Sequence, residues 1–260
     1  MTDRVSNHVV FIPGAWMTPG CWDDFRKPFE VAGYTVHTPS WPTLDTGTPE
    51  QLRANAPEGL GSLSIGTIVA HMAEVIADLP EPPLIVGHSF GGLFTQLLLS
   101  RDVGAAGIAL DPAPIAGVIP GPISLAAASP VLTRWNGWNR SFLISRQAFA
   151  RTFANTIPPE AQRAAYDRLV VPTSGRIFYQ AAAGIGSAAH PRRRTKPLLI
   201  TVGEKDRTVS PYVARAACRI QRKSLAPTTF RQFPGRSHFL IAEPGWEEVA
   251  DYCVSWARRG

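Results

Sequence analysis

The stretch Pro83-Leu84-Ile85-Val86-Gly87-His88-Ser89-Phe90-Gly91-Gly92-Leu93-Phe94-Thr95-Gln96-Leu97-Leu98-Leu99 decides how the rest of the chain is read. Pro83 to Val86 is a short apolar run of the kind that forms a strand buried on both faces, and Leu93 to Leu99 continues as an apolar helix. Between them stands Gly87-His88-Ser89-Phe90-Gly91, the only Gly-x-Ser-x-Gly in the sequence. A serine placed between strand and helix sits in a sharp, strained turn, where bulk two residues to either side would strike neighbouring backbone. Gly87 and Gly91 meet that requirement. The string alone arises readily by chance, so its setting carries the weight.

A serine hydroxyl is a weak nucleophile at neutral pH; it needs a base within hydrogen-bond reach and a carboxylate to fix the tautomer of that base. Both follow downstream. Leu198 to Val202 reads as a strand running into Gly203-Glu204-Lys205-Asp206-Arg207, a turn that presents Asp206, with Glu204 close by. The next strand leads into Pro234-Gly235-Arg236-Ser237-His238-Phe239, which offers His238 as the base. Asp111 competes for the acid role, because it ends the Gly107 to Leu110 run. The other histidines are less apt: His8 opens a strand, His37 ends one, His71 lies on a helix, His190 falls in an insertion and His88 is the variable residue of the turn. None has metal-ligand spacing. Acyl transfer also needs donors for an oxyanion. The amide of Phe90 at the helix start is one candidate, and the loop after the first strand, Ile12-Pro13-Gly14-Ala15-Trp16, offers Ala15 or Trp16 as the second.

Outward from this centre, short apolar runs alternate with helical patterns, the signature of a parallel sheet covered on both faces. His8 to Ile12, Tyr34 to Thr38, Leu84 to Gly87, Gly107 to Leu110, Leu198 to Val202 and Thr228 to Phe233 give about six strands. Ile65, Ile68, Val69, Met72, Val75, Ile76 and Leu79 recur at helical spacing, with Ser62 or Ser64 as the cap. Ser210-Pro211 starts another helix, and Trp246, Val249, Ala250, Cys253 and Val254 mark a closing one. Ligands in open sheets of this type collect at the carboxyl edge, so Ser89, Asp206 and His238 can converge there.

The alternation breaks between Pro112 and Lys196, where helical patterns carry no convincing strand. The expected organisation is an α/β core over 1–111 and 197–260 with a helical cap inserted over 112–196. The insertion is rich in aromatics, and an apolar underside would let some of them, with Trp16 and Phe239, line a substrate cavity. Trp135, Trp138 and Phe142 are the residues expected to do so.

The chain has 260 residues, 45% of them apolar, enough for one large domain. No stretch approaches the roughly 18 consecutive apolar residues of a membrane span, and Met1 to Asn7 is too polar for a signal peptide, so the protein is expected to be soluble and cytoplasmic. Cys21, Cys218 and Cys253 have no redox or metal spacing and read as reduced thiols, the last buried on a helix. The net charge is +6, but Arg192-Arg193-Arg194 is the only basic run. It reads as a solvated loop, and nothing beside it suggests a nucleic-acid partner.

The strained serine turn, the acid turn, the late histidine and the first-strand loop together resemble the α/β-hydrolase family. Gly14-Ala15-Trp16 followed by Cys21-Trp22 is similar to its compact esterase and hydroxynitrile-lyase-like branch. The resemblance covers the core on either side of the insertion. In that family the acid usually follows the strand before the last, which favours Asp206 over Asp111. It also often has His before the glycine of the oxyanion loop, where this chain has Pro13. The implied activity is hydrolysis of a hydrophobic ester or lactone through an acyl-enzyme on Ser89, with no cofactor. The alternatives are carbon–carbon bond cleavage or a lyase reaction on the same triad, or a non-catalytic receptor. A lyase of this branch is expected to use a lysine, and only Lys205 is at hand.

Overall fold

The computed structural model describes residues 6–259. The polar amino-terminal stretch noted above therefore lies, up to Val5, outside the described residues. The main sheet is built from β1 (His8–Ile12), β2 (Thr35–His37), β3 (Leu84–His88), β4 (Ala106–Leu110), β7 (Leu198–Gly203) and β8 (Thr228–Phe233). The order is β2-β1-β3-β4-β7-β8, and every neighbouring pair is parallel. β3, β4 and β7 are buried at every position, as runs of Ile, Val, Leu, Ala and Gly, broken only by His88 and Thr201, require in a sheet covered on both faces. The edge strands β2 and β8 are more open.

Topology explains where a site can form. The chain leaves β1 toward β2 and then returns to place β3 on the other side, so connections diverge between β1 and β3. A crevice opens at such a switch point, outside the carboxyl ends of the strands. Registration aligns those ends: Ile12 lies opposite Gly87, His88 opposite Leu110, Leu110 opposite Thr201, and Gly203 opposite Phe233. The loops carrying Pro13–Trp16, Ser89, Asp111, Asp206 and His238 therefore leave the sheet on one side.

The helix Phe90–Leu99 is buried along its whole length against β1, β3 and β4. It is shielded from solvent by the amphipathic helix Ile65–Ala77, whose cap, Ser64, accepts the Thr67 amide at 3.0 Å. Cys253 is buried on the closing helix Trp246–Ala257. Among the described residues no helix is long and apolar enough to cross a membrane.

The segment between β4 and β7 holds the helices Pro122–Leu132, Pro159–Leu169 and Arg176–Ala183 and a helical turn through Phe149–Phe153. It also contains an antiparallel ribbon, β5 (Ser141–Phe142) with β6 (Thr173–Ser174), which the sequence did not foretell. Two residues a side are too few to show an alternating pattern. The segment is tied to the core by backbone. Met17 bridges Val170, the Val171 amide donates to the Trp16 carbonyl at 2.9 Å, and the Ile65 amide donates to Gln180 at 2.8 Å.

The basic run departs from the solvated loop expected of it. Arg192 and Arg193 are exposed, but Arg194 is only 1% exposed. Its guanidinium reaches the Gln221 side chain at 3.2 Å and the carbonyls of Gln221 and Pro227 at 3.1 Å, and it also bonds to Lys196 and Thr228. The fixed fork of donors gathers the carbonyls at the start of β7 and β8, a task sequence cannot reveal because those acceptors come from remote backbone. Burial lowers its pKa to about 10. Arg194→Ala should cost about 3 kcal/mol in urea unfolding, since it strands several buried acceptors, whereas Arg192→Ala should stay within about 0.5 kcal/mol.

Candidate active site

Ser89 joins β3 to the helix Phe90–Leu99 with φ 55° and ψ −117°, a conformation that L residues other than glycine seldom adopt. Such strain costs on the order of 1–3 kcal/mol and persists only where the surroundings impose it. Here they do. The Ser89 amide donates to the Leu110 carbonyl at 2.9 Å, and the Ser89 carbonyl accepts the amides of Ala113 and Leu93. A Cβ on Gly87 would lie 2.1 Å from the Gly91 carbonyl oxygen, and one on Gly91 would lie 2.1 Å from that of Ile12. Both glycines are therefore obligatory, and the turn is pressed against the end of β1.

His238 lies in the loop after β8 and is fully buried. Its Nδ1 is 2.6 Å from Asp206 Oδ2, while Asp206 Oδ1 accepts the amides of Thr208 at 2.7 Å and Val209 at 2.8 Å. His238 Nε2 is buried and has no hydrogen-bond partner. Asp111 also reaches the ring, but Oδ2 stands 4.0 Å from Nδ1. Its Oδ1 accepts the Gly203 amide at 2.7 Å. Burial raises both carboxyls. At Asp206 the His238 charge, the His238 hydrogen bond and two amides oppose that rise. At Asp111 the charge of Asp206 adds to it, with only one amide against, and its pKa lies well above the ordinary 3.8. Asp206 is therefore the carboxyl that carries charge beside His238.

Two residues that the sequence reading passed over hold this arrangement. His88 donates from Nε2 to the His238 carbonyl at 2.8 Å, tying the histidine loop to the serine turn. That bond fixes its tautomer, and burial, then the His238 charge, push its pKa well down, so the ring is neutral. Glu243 accepts the Ser237 amide at 2.9 Å and the Ser237 hydroxyl at 2.5 Å, and it also bonds to Thr156 of the insertion. His88, Asp111 and His238 have possible metal-ligand atoms within 4.8 Å of one another. One ring nitrogen of each histidine is bonded to a protein acceptor, His88 to the His238 carbonyl and His238 to Asp206.

The loop after β1 completes the site. Phe90 is the first residue of its helix, so its amide has no intrahelical acceptor. Gly14 packs so tightly that an added Cβ would sit 2.7 Å from Ser89 Cβ. The Pro13 carbonyl accepts the indole N–H of buried Trp41 at 3.1 Å. Trp16 has φ 65°, donates from its indole to the Phe142 carbonyl at 3.0 Å and packs 5.0 Å from Phe178.

A cavity of about 70 Å³ opens beside Ser89, with Ala15, Trp16 and Phe90 on its wall. The helices Pro122–Leu132 and Arg176–Ala183 roof it with Leu125, Ala127, Ala128, Leu132, Phe178 and Ala181. Trp16 is where the sequence placed it, but the other expected aromatics are elsewhere. Trp135 follows the end of its helix and is 88% exposed. Trp138 packs on Tyr179 under Arg176. Phe142 meets Trp16 from outside the cavity wall. Phe239 is buried behind the site against Phe149 and Phe153. Alanine is the commonest residue of the lining, and composition alone does not distinguish it from filler.

An open parallel sheet with a strained serine turn at its switch point, and a buried histidine–aspartate pair on adjacent loops, defines the α/β-hydrolase class of fold. The chain belongs to the Alpha/beta hydrolase family, whose model it matches over residues 9–252. A search of the curated proteins found no match. Among solved structures, the chain is similar to the monoacylglycerol lipase of Paleococcus ferrophilus, with 21% identity, 97% of this chain and 94% of that one covered, and a TM-score of 0.71. It is also similar to a pyrethroid hydrolase from Sphingobium faniae JZ-2, at 19% identity, 96% coverage of both chains and a TM-score of 0.71. A methylesterase protein, MES16, from Arabidopsis aligns at 17% identity over 96% of this chain and 98% of that one, with a TM-score of 0.70.

Asp111 has a consequence for stability. Its pKa in the folded state lies above the ordinary value of 3.8, so between the two the folded protein holds a proton that the unfolded chain releases. Stability must then fall as pH rises through that window. Asp111→Asn removes this dependence. Its stability relative to the parent, followed by urea unfolding from about pH 4 to about pH 8, should improve as pH rises.

Proposed function

We propose that this protein is a serine hydrolase that cleaves a carboxylic ester, or a lactone, of a hydrophobic small molecule. The observation that carries the reading is His238: a buried imidazole whose Nδ1 is held at 2.6 Å by Asp206 and whose Nε2 is left open. With Nδ1 protonated and bonded to the carboxylate, Nε2 carries a lone pair and can take a proton from Ser89. Ser89 Oγ attacks the ester carbonyl, and the amides of Ala15 and Phe90 receive the oxyanion. His238 returns the proton to the leaving alcohol. Water, activated by the same ring, then releases the acid.

The strain at Ser89 serves this by holding the hydroxyl out of the helix it starts. The apolar cavity favours an uncharged acyl or aromatic group, because a charged one would lose its hydration without a partner. Lys205 is exposed and is absent from the cavity wall, so a lyase reaction has no cation there to draw on. The names of the structural relatives, a lipase, a pyrethroid hydrolase and a methylesterase, agree with ester hydrolysis without choosing the substrate.

Release of nitrophenol from nitrophenyl esters of increasing chain length tests the reading. Ser89→Ala should lower kcat by at least about a thousandfold while leaving the fold intact, and the parent should show a chain-length optimum. Absence of turnover by the folded parent on every ester would sink it. A second measurement addresses the oxyanion loop. Trp41→Phe keeps the ring but loses the bond to Pro13, and it should lower kcat about tenfold with KM changed less than about twofold, since a loosened loop weakens transition-state binding.

A further inference from the structure

The buried pair His238–Asp206 has a third member that the mechanism above does not use. Asp111 ends β4 with φ 44°, another residue outside the ordinary backbone regions. It is fully buried, its Oδ1 is fixed by the Gly203 amide, and its Oδ2 has no hydrogen-bond partner. That free oxygen stands 4.0 Å from His238 Nδ1, the same atom that Asp206 holds at 2.6 Å. The titratable groups around it are His88 at the end of β3, Asp206 on the loop after β7, and His238 and Glu243 on the loop after β8. A buried polar atom without a partner is costly, and a strained backbone that keeps it there calls for a reason.

We propose that Asp111 is a second acid of this site, a positioning residue that stands behind Asp206 on the Nδ1 side of His238 and takes over its role when Asp206 is removed. A shift of roughly 1 Å would turn the 4.0 Å separation into a hydrogen bond. Loss of the Asp206 carboxylate also removes the negative charge that disfavours ionisation of Asp111. The inference rests on the reading of His238 as a base in one respect, that a carboxylate on Nδ1 matters to Ser89.

The test is a cycle of four proteins: the parent, Asp111→Asn, Asp206→Ala and the double variant, each checked for folding by thermal melting. Asn retains an acceptor for the Gly203 amide and tolerates positive φ. If Asp206→Ala does not fold, Asp206→Asn takes its place. Two readouts are used. The first is the rate at which a fluorophosphonate labels Ser89, in which Oγ bonds to phosphorus, its proton passes to His238 Nε2 and fluoride leaves. Asp111→Asn should slow labelling at least about tenfold more in the Asp206→Ala background than in the parent. The second is the NMR signal of the His238 Nδ1 proton, assigned through His238→Gln. A deshielded signal should survive in Asp206→Ala and vanish in the double variant. An equal factor in both backgrounds, or loss of the signal in Asp206→Ala alone, would overturn the proposal. A parent that is not labelled at all would instead remove the hydrolase reading, and the Nδ1 signal would still decide the role of Asp111.

Discussion

The site depends on a contact between backbones. Where the helix Phe90–Leu99 begins, Gly91 lies so close to the end of β1 that a single methyl group would collide with the Ile12 carbonyl. That closeness brings the loop after β1 onto the serine turn, with Gly14 against Ser89. The loop that leaves one strand and the serine hydroxyl that follows its neighbour then border the same small volume. A side chain at 91 would push the serine turn off the end of β1, and one at 87 would push the helix off its own strand. The strain at Ser89 is imposed by this packing, not by the serine itself.

The insertion is part of the same construction. Its strand-like segment 169–171 pairs with Met17 and the Trp16 carbonyl, and Trp16 in turn bonds to Phe142. The loop after β1 is thus held by Trp41 on one hand and by the segment between β4 and β7 on the other. Phe153 meets the His238 ring edge-on at 4.5 Å, and both are buried away from water. Moving the segment 169–171 would therefore disturb the loop after β1 that it is bonded to. The helix Pro122–Leu132 stands over the cavity beside Ser89. That helix is the part of the roof with exposed apolar residues, Ile123 and Leu125, and with a proline, Pro130, inside it.

How much of this was legible in the sequence follows from which interactions are local. The strands were readable because buried parallel strands are unbroken apolar runs, and the turn at Ser89 was readable because its glycines are required at fixed offsets. Asp206 and His238 could be placed because each directly follows a strand, and parallel strands deliver such residues to one edge. The two-residue ribbon, the buried Arg194 and the Trp41 bond to Pro13 were hidden for a common reason. Each depends on a partner far away in sequence, as Arg194 depends on Gln221 and Pro227. The cavity aromatics misled for a related reason, since large rings in the insertion are as useful for gluing helices together as for lining a pocket.

Asp111 shows the limit of reading roles from position alone. Its place after β4 makes it as eligible as Asp206 to meet a histidine at the sheet edge, and the structure brings both to the same nitrogen. What separates them is the number of donors each can gather. Asp206 sits in a turn whose Thr208 and Val209 amides point back at its carboxylate, alongside the His238 Nδ1 proton, while Asp111 has the single amide of Gly203. In a buried site a charge goes where hydrogen bonds can hold it. The turn Asp206-Arg207-Thr208-Val209 thus gathers by local geometry the donors that Asp111 lacks.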